Sequence, residues 1–313
     1  MRIFVLGNYM NAHFIHVDWL PNAGESLTAR RVFQEHGGKG LNLGVGLHRL
    51  GVEVDILMAV GQDEAGASVK QVLADEGLRT DYFLTLGECS GFGVGFIAPD
   101  GSNFLAAHLG ANALLAPTHV DQASAALDQA EWVMAHYEVP DAVILHAFQR
   151  ARVLGISTYL NPSPWRTPAE GMLALTDVLV VNTAEAALLF NDPQTVNWGV
   201  EEWAAQLAAL AARIGWCGRI LVVTLAHEGC VALDASGNTV TKNAFEIVQV
   251  DATGAGDAFG CGLVYGLLQG RSLKEALDIG NVCGAHIAAR EGILAHLPHY
   301  DDLVDFLDQS ISD

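Results

Sequence analysis

The sequence predicts a three-layer α/β fold, in which helices cover both faces of a mostly parallel central sheet and a small β-sheet forms a lid. Strand-like and helical segments alternate along most of the 313 residues. Two segments break this alternation, and no linker rich in Pro, Ser or charge divides the chain. A hydrophobic content of 51% is enough for one large core or two modest ones.

The alternating segments define the central sheet and its helical layers. Met1–Gly7 predicts a first core strand, and further strand-like runs cover Val54–Val60, Trp132–Ala135, Gly155–Leu160, Val178–Val181 and Ile220–Thr224. Helical stretches cover Gly38–Leu50, Ala65–Glu76, Pro140–Ala151, Glu201–Ile214, Gly254–Leu268, Leu273–Arg290 and Tyr300–Leu307. Repetition of strand and then helix predicts parallel strands that are buried on both faces.

The two irregular segments, at about 14–33 and 91–107, predict the lid. In the second segment, Gly91–Ile97 and Asn103–Ala106 flank the turn signal Pro99-Asp100-Gly101, which is typical of a hairpin. Because both segments are irregular in the same way, we expect them to pair into one β-layer. One domain over residues 1–313 with this lid inserted in it is the simplest arrangement.

Composition excludes several classes of function. A net charge of -20 argues against binding to nucleic acid or to an anionic membrane. No apolar run reaches about 18 residues, and the apolar N-terminus is too short for a signal peptide, so a cytoplasmic protein is expected. The five cysteines are scattered and the twelve histidines dispersed, which argues against a disulfide framework or a structural zinc site.

A turn of small residues followed by a helix predicts a site for a phosphoryl group. In Asp251-Ala252-Thr253-Gly254-Ala255-Gly256-Asp257, the amides of Gly254, Ala255 and Gly256 open a helix, where negative charge is favoured. Asp257 would accept a proton from an attacking hydroxyl while these amides stabilise the transferred group. Alternatively, Asp257 only complements the helix dipole, which is worth about 0.3 to 1 kcal/mol.

Two common nucleotide motifs do not match. The glycine that follows Gly254-Ala255-Gly256 is at position 260 and not 259, which argues against a dinucleotide fingerprint. Lys39 is followed by Gly40 and not by Ser or Thr, which excludes a Walker A loop.

A second glycine-rich segment begins at Gly37-Gly38-Lys39-Gly40. These glycines would let the backbone approach a ligand, and Asn42 lies one helical turn beyond Gly38. This arrangement suits a polyhydroxylated ligand. The alternative is close helix packing, which we favour for Gly44 and Gly46.

The two segments together resemble the paired signatures of the ribokinase family, also called the PfkB carbohydrate kinases. The likeness covers essentially the whole chain. Its segments, in family order, are Gly24-Glu25-Ser26, Gly37-Gly38-Lys39-Gly40 with Asn42, Gly61-Gln62-Asp63, Gly110-Ala111-Asn112, Asn161-Pro162-Ser163-Pro164, Asn182-Thr183-Ala184-Glu185, Thr224-Leu225-Ala226-His227-Glu228-Gly229 and the turn that ends at Asp257.

The resemblance implies a ribokinase-like fold, the use of ATP with Mg²⁺, and a role for each matching residue. Asp257 would be the catalytic base, with the amides of residues 254–256 as anion hole. Asn182 and Glu185 would organise the ATP phosphates and Mg²⁺, the latter through water. The other implied positions are Thr224 and Gly229 beside the nucleotide, Asn281 near adenine, and Asp251 with the loop around Gly292 at a monovalent-cation site, usually K⁺.

The acceptor side matches the family only in part. Gly38, Lys39, Asn42 and Glu138 match substrate-binding positions, although Glu138 could also be a helix-start charge. The family's G-x-x-N-x-D segment is here Gly7-Asn8-Tyr9-Met10-Asn11-Ala12, so Met10 and Ala12 replace the two polar anchors. Asn11 is a candidate substitute, as are Asn8 and His13.

The charge of the lid bears on the acceptor class. Residues 87–116 contain no Lys or Arg, which favours an uncharged sugar, polyol or nucleoside over a phosphosugar. Aromatic residues at Phe14, Trp19 and Phe104 would either stack on a nucleobase or close a core. The family also implies a possible homodimer through the lid. A non-catalytic sugar or nucleotide sensor is the alternative of a different class.

Overall fold

The structure is a computed structural model that describes residues 1–99 and 103–304. Its strands are β1 (Arg2–Leu6), β2 (Met10–His16), β3 (Arg31–Gly37), β4 (Glu53–Val60), β5 (Phe83–Thr85), β6 (Gly91–Ile97), β7 (Asn103–His108), β8 (Trp132–His136), β9 (Ser157–Asn161), β10 (Val178–Asn182), β11 (Ile220–Thr224), β12 (Cys230–Asp234) and β13 (Thr239–Lys242). Its α-helices are α1 (Lys39–Arg49), α2 (Glu64–Asp75), α3 (Pro117–Gln122), α4 (Ser124–Leu127), α5 (Asp141–Leu154), α6 (Thr183–Leu189), α7 (Val200–Arg213), α8 (Ala255–Leu268) and α9 (Leu273–Ala288).

The central sheet has nine strands in the order β13-β12-β11-β10-β9-β8-β1-β4-β5. The strands from β11 to β5 are all parallel, whereas β12 and β13 add an antiparallel edge. Parallel strands are buried on both faces, which explains why Ile220–Val223 is continuously apolar. Their carboxyl ends all meet at one edge of the sheet, where ligands bind in open α/β sheets.

Hydrophobic cores fill the space on both faces of this sheet. On one face Leu41 of α1, Leu263 of α8 and Ile287 of α9 are fully buried. On the other face Phe148 of α5 and Trp203 of α7 are fully buried. The predicted three-layer arrangement is therefore confirmed.

A second sheet of four strands has the order β3-β2-β6-β7. Strand β2 pairs antiparallel with β3 and parallel with β6, so the predicted pairing of the two irregular segments is confirmed. The first pair of strands occupies 10–16 and 31–37, wider than the expected 14–33, and residues 17–30 connect them. Of the predicted hairpin turn, Asp100 and Gly101 lie outside the described residues.

Some predicted boundaries were wrong by a few residues. Helix α5 extends to Leu154 because Gly155, with φ of 72°, ends it in the left-handed conformation. Strand β9 therefore starts at Ser157 and not at Gly155. Helix α9 ends at Ala288, before the expected Arg290. Residues 300–304 are helical, and the rest of the predicted last helix lies outside the described part of the chain.

Within residues 1–99 and 103–304, no helix combines the length and the apolar character needed to cross a bilayer.

Replacement of Trp203 by Ala tests the core beneath α7. Trp203 is 0% exposed and packs against the rings of Phe190 and Trp198. We expect a loss of about 3 to 5 kcal/mol in the free energy of unfolding, measured by urea denaturation, because a large cavity would remain. Trp19→Ala is the matched control, since Trp19 is 50% exposed and its loss should cost far less. Equal losses in the two variants would contradict this account of the core.

Candidate active site

The candidate site lies at the edge of the central sheet where the parallel strands end. Asn8 follows β1, Glu138 follows β8, Asn182 ends β10 and Thr224 ends β11. Helices α1 and α8 both begin at this edge, directly after glycine residues. The topology therefore brings together residues that lie far apart in the sequence.

Asp257 is the central carboxylate of this site. It lies in the first turn of α8 and is only 6% exposed. Its Oδ2 accepts a hydrogen bond of 2.8 Å from Asn42 Nδ2, and its Oδ1 lies 3.6 Å from Lys39 Nζ. The Asp257 charge raises the pKa of Lys39, with smaller contributions from Glu138 and Glu185. The ammonium group thus lies within electrostatic range of three carboxylates.

The turn before α8 is shaped by Gly254. Its φ of 80° lies in the left-handed region, where glycine is favoured, and a Cβ atom there would lie 2.6 Å from Ile293 Cγ2. Ala255 N donates to Ala252 O at 3.2 Å, which closes the turn. Gly256 borders open space, since a Cβ atom at this residue would meet nothing within 4 Å. The cleft is therefore open where the helix begins.

Glu138 belongs to the same cluster. Its Oε2 accepts hydrogen bonds from Asn8 Nδ2 at 2.7 Å and from Lys39 N at 3.1 Å. Asn8 Oδ1 in turn accepts from Gly40 N at 2.9 Å. Loss of hydration on burial raises the pKa of Glu138. Asn8 is thus a bridge between β1, α1 and the carboxylate, a role that the sequence motif did not indicate.

The glycines at the start of α1 permit a close approach to β1. Gly38 has φ of 121°, and a Cβ atom there would lie 2.5 Å from Asn8 O. A Cβ atom on Gly40 would lie 2.4 Å from Gly7 Cα. Gly44 and Gly46 instead pack against Ile56 and Cys261, so the packing interpretation of those two glycines agrees with the structure.

A cavity of about 690 Å³ extends from the start of α8 along the ends of β10 and β11. The four residues predicted beside the nucleotide, Asn182, Thr224, Gly229 and Asn281, all line it, together with Ala255 and Gly256. Its opposite wall is the segment 244–249, which sequence reasoning missed because the segment has no regular secondary structure. Asn281 Nδ2 donates to Asn243 O at 3.0 Å and so holds this wall in place.

Glu185 and Asn182 form a reciprocal cap at the start of α6. Glu185 Oε2 accepts from Asn182 N at 3.0 Å, and Asn182 Oδ1 accepts from Glu185 N at 2.8 Å. No group of three or more His, Cys, Asp or Glu residues within the described ranges could hold a metal ion directly. A lone carboxylate fits Mg²⁺ that keeps most of its water ligands and bridges to phosphates.

Asp251 lies on the loop that precedes Gly254. Its Oδ1 accepts from Thr253 N at 2.9 Å and from Thr253 Oγ1 at 2.7 Å, while its own N–H donates to Ala288 O at 3.2 Å. The loop after α9 turns at Gly292, with φ of 88°. Carboxylate and carbonyl oxygens, which these two loops provide, are the type of ligand that a hard cation prefers.

Asn11, predicted to bind the substrate, does not join the cluster of Asp257, Lys39, Asn42 and Glu138. Its Oδ1 accepts from Gln34 Nε2 at 2.6 Å. Because side chains alternate along β2, Asn11 lies on the opposite face from Met10 and Ala12.

Three arginines outside residues 87–116 are paired with carboxylates. Arg30 contacts Asp18, Arg31 contacts Glu291 at 2.8 Å, and Arg166 contacts Asp141 at 2.5 Å. None of these three side chains is left to bind a substrate phosphate.

A buried carboxylate at a helix start, next to residues that line a cavity and in contact with a cluster of polar side chains, is typical of phosphoryl transfer to an alcohol. Together with the α/β fold, it defines a small-molecule kinase. The model of the pfkB family carbohydrate kinases matches residues 1–299, and the chain belongs to this family. It is an ATP-dependent carbohydrate kinase, a phosphotransferase with an alcohol group as acceptor.

Known relatives agree with this assignment. A ribokinase from Haemophilus influenzae is 29% identical over 309 residues and is covered to 98%, as is this chain. The structure of ribokinase from Cryptococcus neoformans in complex with ADP is similar with a TM-score of 0.84 and 26% identity, over 97% of this chain and 98% of that one. Ribokinase from Arabidopsis thaliana, complexed with ribose and ATP, has a similar fold with a TM-score of 0.86 at 21% identity, over 97% and 98% of the two chains.

The raised pKa of Glu138 predicts a pH-dependent difference between the wild type and Glu138→Gln. A carboxyl group whose pKa is raised in the folded state contributes stability that is fully present below its pKa in the unfolded state, about 4.3. This contribution is lost as pH rises through its pKa in the folded state. The free energy of unfolding of the Gln variant should therefore increase relative to that of the wild type between pH 4 and pH 7.5.

Urea denaturation of both proteins at the two pH values measures this difference. Glu170→Gln, at an exposed position, controls for the substitution itself and should show the smaller change. A wild type that gains stability over the Gln variant as pH rises would show that the neighbouring donors outweigh the cost of burial.

Proposed function

We propose that this protein transfers the γ-phosphoryl group of ATP to a hydroxymethyl group of a neutral sugar or polyol, with Asp257 as the general base. One observation carries the proposal. The buried Asp257 carboxylate directly follows Gly256, which lines the cavity, and contacts Lys39 and Asn42 of the polar cluster. A base in this position can reach a hydroxyl on one side while the transferred group lies on the other.

On the acceptor side, Asp257 takes the proton of the attacking hydroxyl. Asn42 contacts one carboxylate oxygen of Asp257 and Lys39 lies beside the other, so together they hold the base in one orientation. Glu138 accepts a hydrogen bond from a hydroxyl group of the acceptor, and Gly38 and Lys39 at the start of α1 border the acceptor. Asn11 is left out of these contacts because its side chain lies on the other face of its strand.

On the nucleotide side, Asn182, Thr224, Gly229 and Asn281 border ATP, and Asn281 also holds the wall at Asn243. The amides of residues 254–256 stabilise charge on the transferred group, with Ala255 N released from its turn contact or shared with it. Glu185 would hold Mg²⁺ through water. Bound Mg²⁺ neutralises phosphate charge. Asp251, with the loop at Gly292, would hold K⁺ and so stabilise the turn before α8.

A neutral acceptor is supported by the charges around the site. The cation that faces Asp257 and Glu138 is Lys39, and their charges already raise its pKa. Arg30, Arg31 and Arg166 are paired with carboxylates elsewhere. A substrate phosphate would therefore lack the paired cations that phosphate recognition uses. A nucleoside is the alternative acceptor. Phe14 and Phe33, which stack on one face of the lid with ring centroids 4.7 Å apart, offer an aromatic surface for a nucleobase.

We further propose that residues 1–313 form a single kinase domain with the four-stranded sheet as its lid. The lid would exclude water from the acceptor, which limits hydrolysis of ATP. A homodimer through the lid, a location in the cytoplasm and partners restricted to small molecules belong to the same proposal.

Asp257→Asn tests the base. Turnover should fall by at least about 100-fold, the lower range of general-base contributions, because the amide cannot accept the proton. ADP release in the presence of the acceptor measures turnover, and calorimetric titration with ATP measures nucleotide binding, which should change little.

The control is Asp75→Asn, an exposed position on α2 that should leave kcat unchanged. If Asp257→Asn keeps near-normal turnover, Asp257 is not the base.

A screen of sugars, polyols and nucleosides for ADP release identifies the acceptor. We expect turnover with uncharged compounds, dependence on Mg²⁺, and faster turnover in K⁺ than in tetramethylammonium buffer, with Asp251→Asn reducing that cation response. Thermal stabilisation by a compound without ADP release from any compound would instead favour a sensor.

A further inference from the structure

The inner face of the lid carries a carboxylate that its sequence motif does not indicate. In the antiparallel pair of β2 and β3, Ala12 lies directly opposite Glu35. Directly paired residues project from the same face, with Cβ atoms about 4.5 to 5.5 Å apart. We use "inner face" for the side that carries Met10, Ala12 and Phe14 on β2 with Glu35 and Phe33 on β3. Glu35 thus lies beside the position where the family motif has an Asp and this chain has Ala12.

The inner face points toward the start of α8. Glu35 Oε2 accepts a hydrogen bond of 3.1 Å from Ile293 N. The side chain of Ile293 packs on Gly254, where an added Cβ atom would lie 2.6 Å from Ile293 Cγ2. Glu35 is therefore separated from the predicted anion hole by one packed residue.

Two small residues lie next to this carboxylate on the inner face. Ala12 is flanked on its other side by Gly93 of β6. A Cβ atom on Gly93 would meet only Ala106 O at 3.8 Å and Met10 Cε at 3.9 Å, which are ordinary contacts. A methyl group and a hydrogen atom thus border the space that a longer side chain at position 12 would fill.

Among the described residues, few donors contact the Glu35 carboxylate. Arg31, which lies four residues earlier on β3, contacts Glu291 at 2.8 Å. Among the described hydrogen bonds, Ile293 N is the donor to Glu35. Glu35 is partly exposed, so its other acceptor positions are open to water or to hydroxyl groups of a ligand.

We infer that Glu35 binds hydroxyl groups of the acceptor and so determines specificity, in place of the carboxylate that is missing at position 12. Met10, which is 8% exposed, presents an apolar contact to the same ligand. The acceptor is therefore a polyhydroxy compound with hydroxyls toward β3 and a carbon edge toward the start of β2. This inference rests on the proposed function and refines its acceptor site.

Glu35→Ala and the double variant Ala12→Asp/Glu35→Ala test the inference. A hydrogen bond to a charged group is worth about 1.5 to 3 kcal/mol, so Glu35→Ala should raise KM for the acceptor about 10- to 100-fold. KM for ATP should stay within about 2-fold. The double variant should recover most of the loss, because it returns a carboxylate to the same face of the sheet.

The probes are D-ribose, 2-deoxy-D-ribose and the compound with the highest kcat/KM in the screen above. Acceptor-induced thermal stabilisation is measured alongside kinetics, so that a protein without turnover still reports acceptor binding. Gln34→Ala, on the other face of β3, is the matched control and should leave KM for the acceptor unchanged.

Two results would overturn the inference. If Glu35→Ala lowers kcat or raises KM for ATP while acceptor binding is unaltered, Glu35 only positions Ile293 and the turn at Gly254. If the folded double variant does not recover acceptor affinity, the carboxylate does not contact the acceptor. Failure of the proposed function itself is recognised separately, by an Asp257→Asn variant that keeps its turnover.

Discussion

The contact between Asp257 and the start of α1 is the constraint on which the site depends. A carboxylate that is 6% exposed needs donors, and it obtains them from Asn42 and Lys39 across the gap between two helices. These donors are in place only because Gly40 lets α1 approach β1 closely. Helix positions, glycine content and the orientation of the carboxylate are therefore parts of one arrangement.

Several side chains combine a structural and a ligand-facing role. Asn182 and Glu185 cap α6 where Asn182 lines the cavity, while Asn281 holds the wall at Asn243. Side chains that are already hydrogen-bonded to the backbone are restrained before any ligand binds. Less conformational entropy is then lost on binding, which is the physical basis of preorganisation.

Sequence patterns predicted the elements that repeat and the residues that lie close along the chain. Alternation of strands and helices predicted the layers, and spacing placed Asn42 and Asp257 at helix starts. Sequence patterns did not predict contacts between residues far apart in the chain, such as Asn8 and Glu138, which are 130 positions apart. Asn11 was a candidate because it is a polar residue between Met10 and Ala12, but the side of a strand on which a residue lies changes with every position. The roles of the site residues remain predictions.

The pairing of Ala12 with Glu35 also has an evolutionary consequence. In this antiparallel pair, two residues that are 23 positions apart in the chain lie side by side on one face of the sheet. A side chain on one strand can therefore be replaced by an equivalent side chain at the paired position of the other strand. A motif defined on one strand then lacks the residue, although the chemical group is still present in the fold. Homologues of such a protein are better compared by the faces of their sheets than by the letters of one strand.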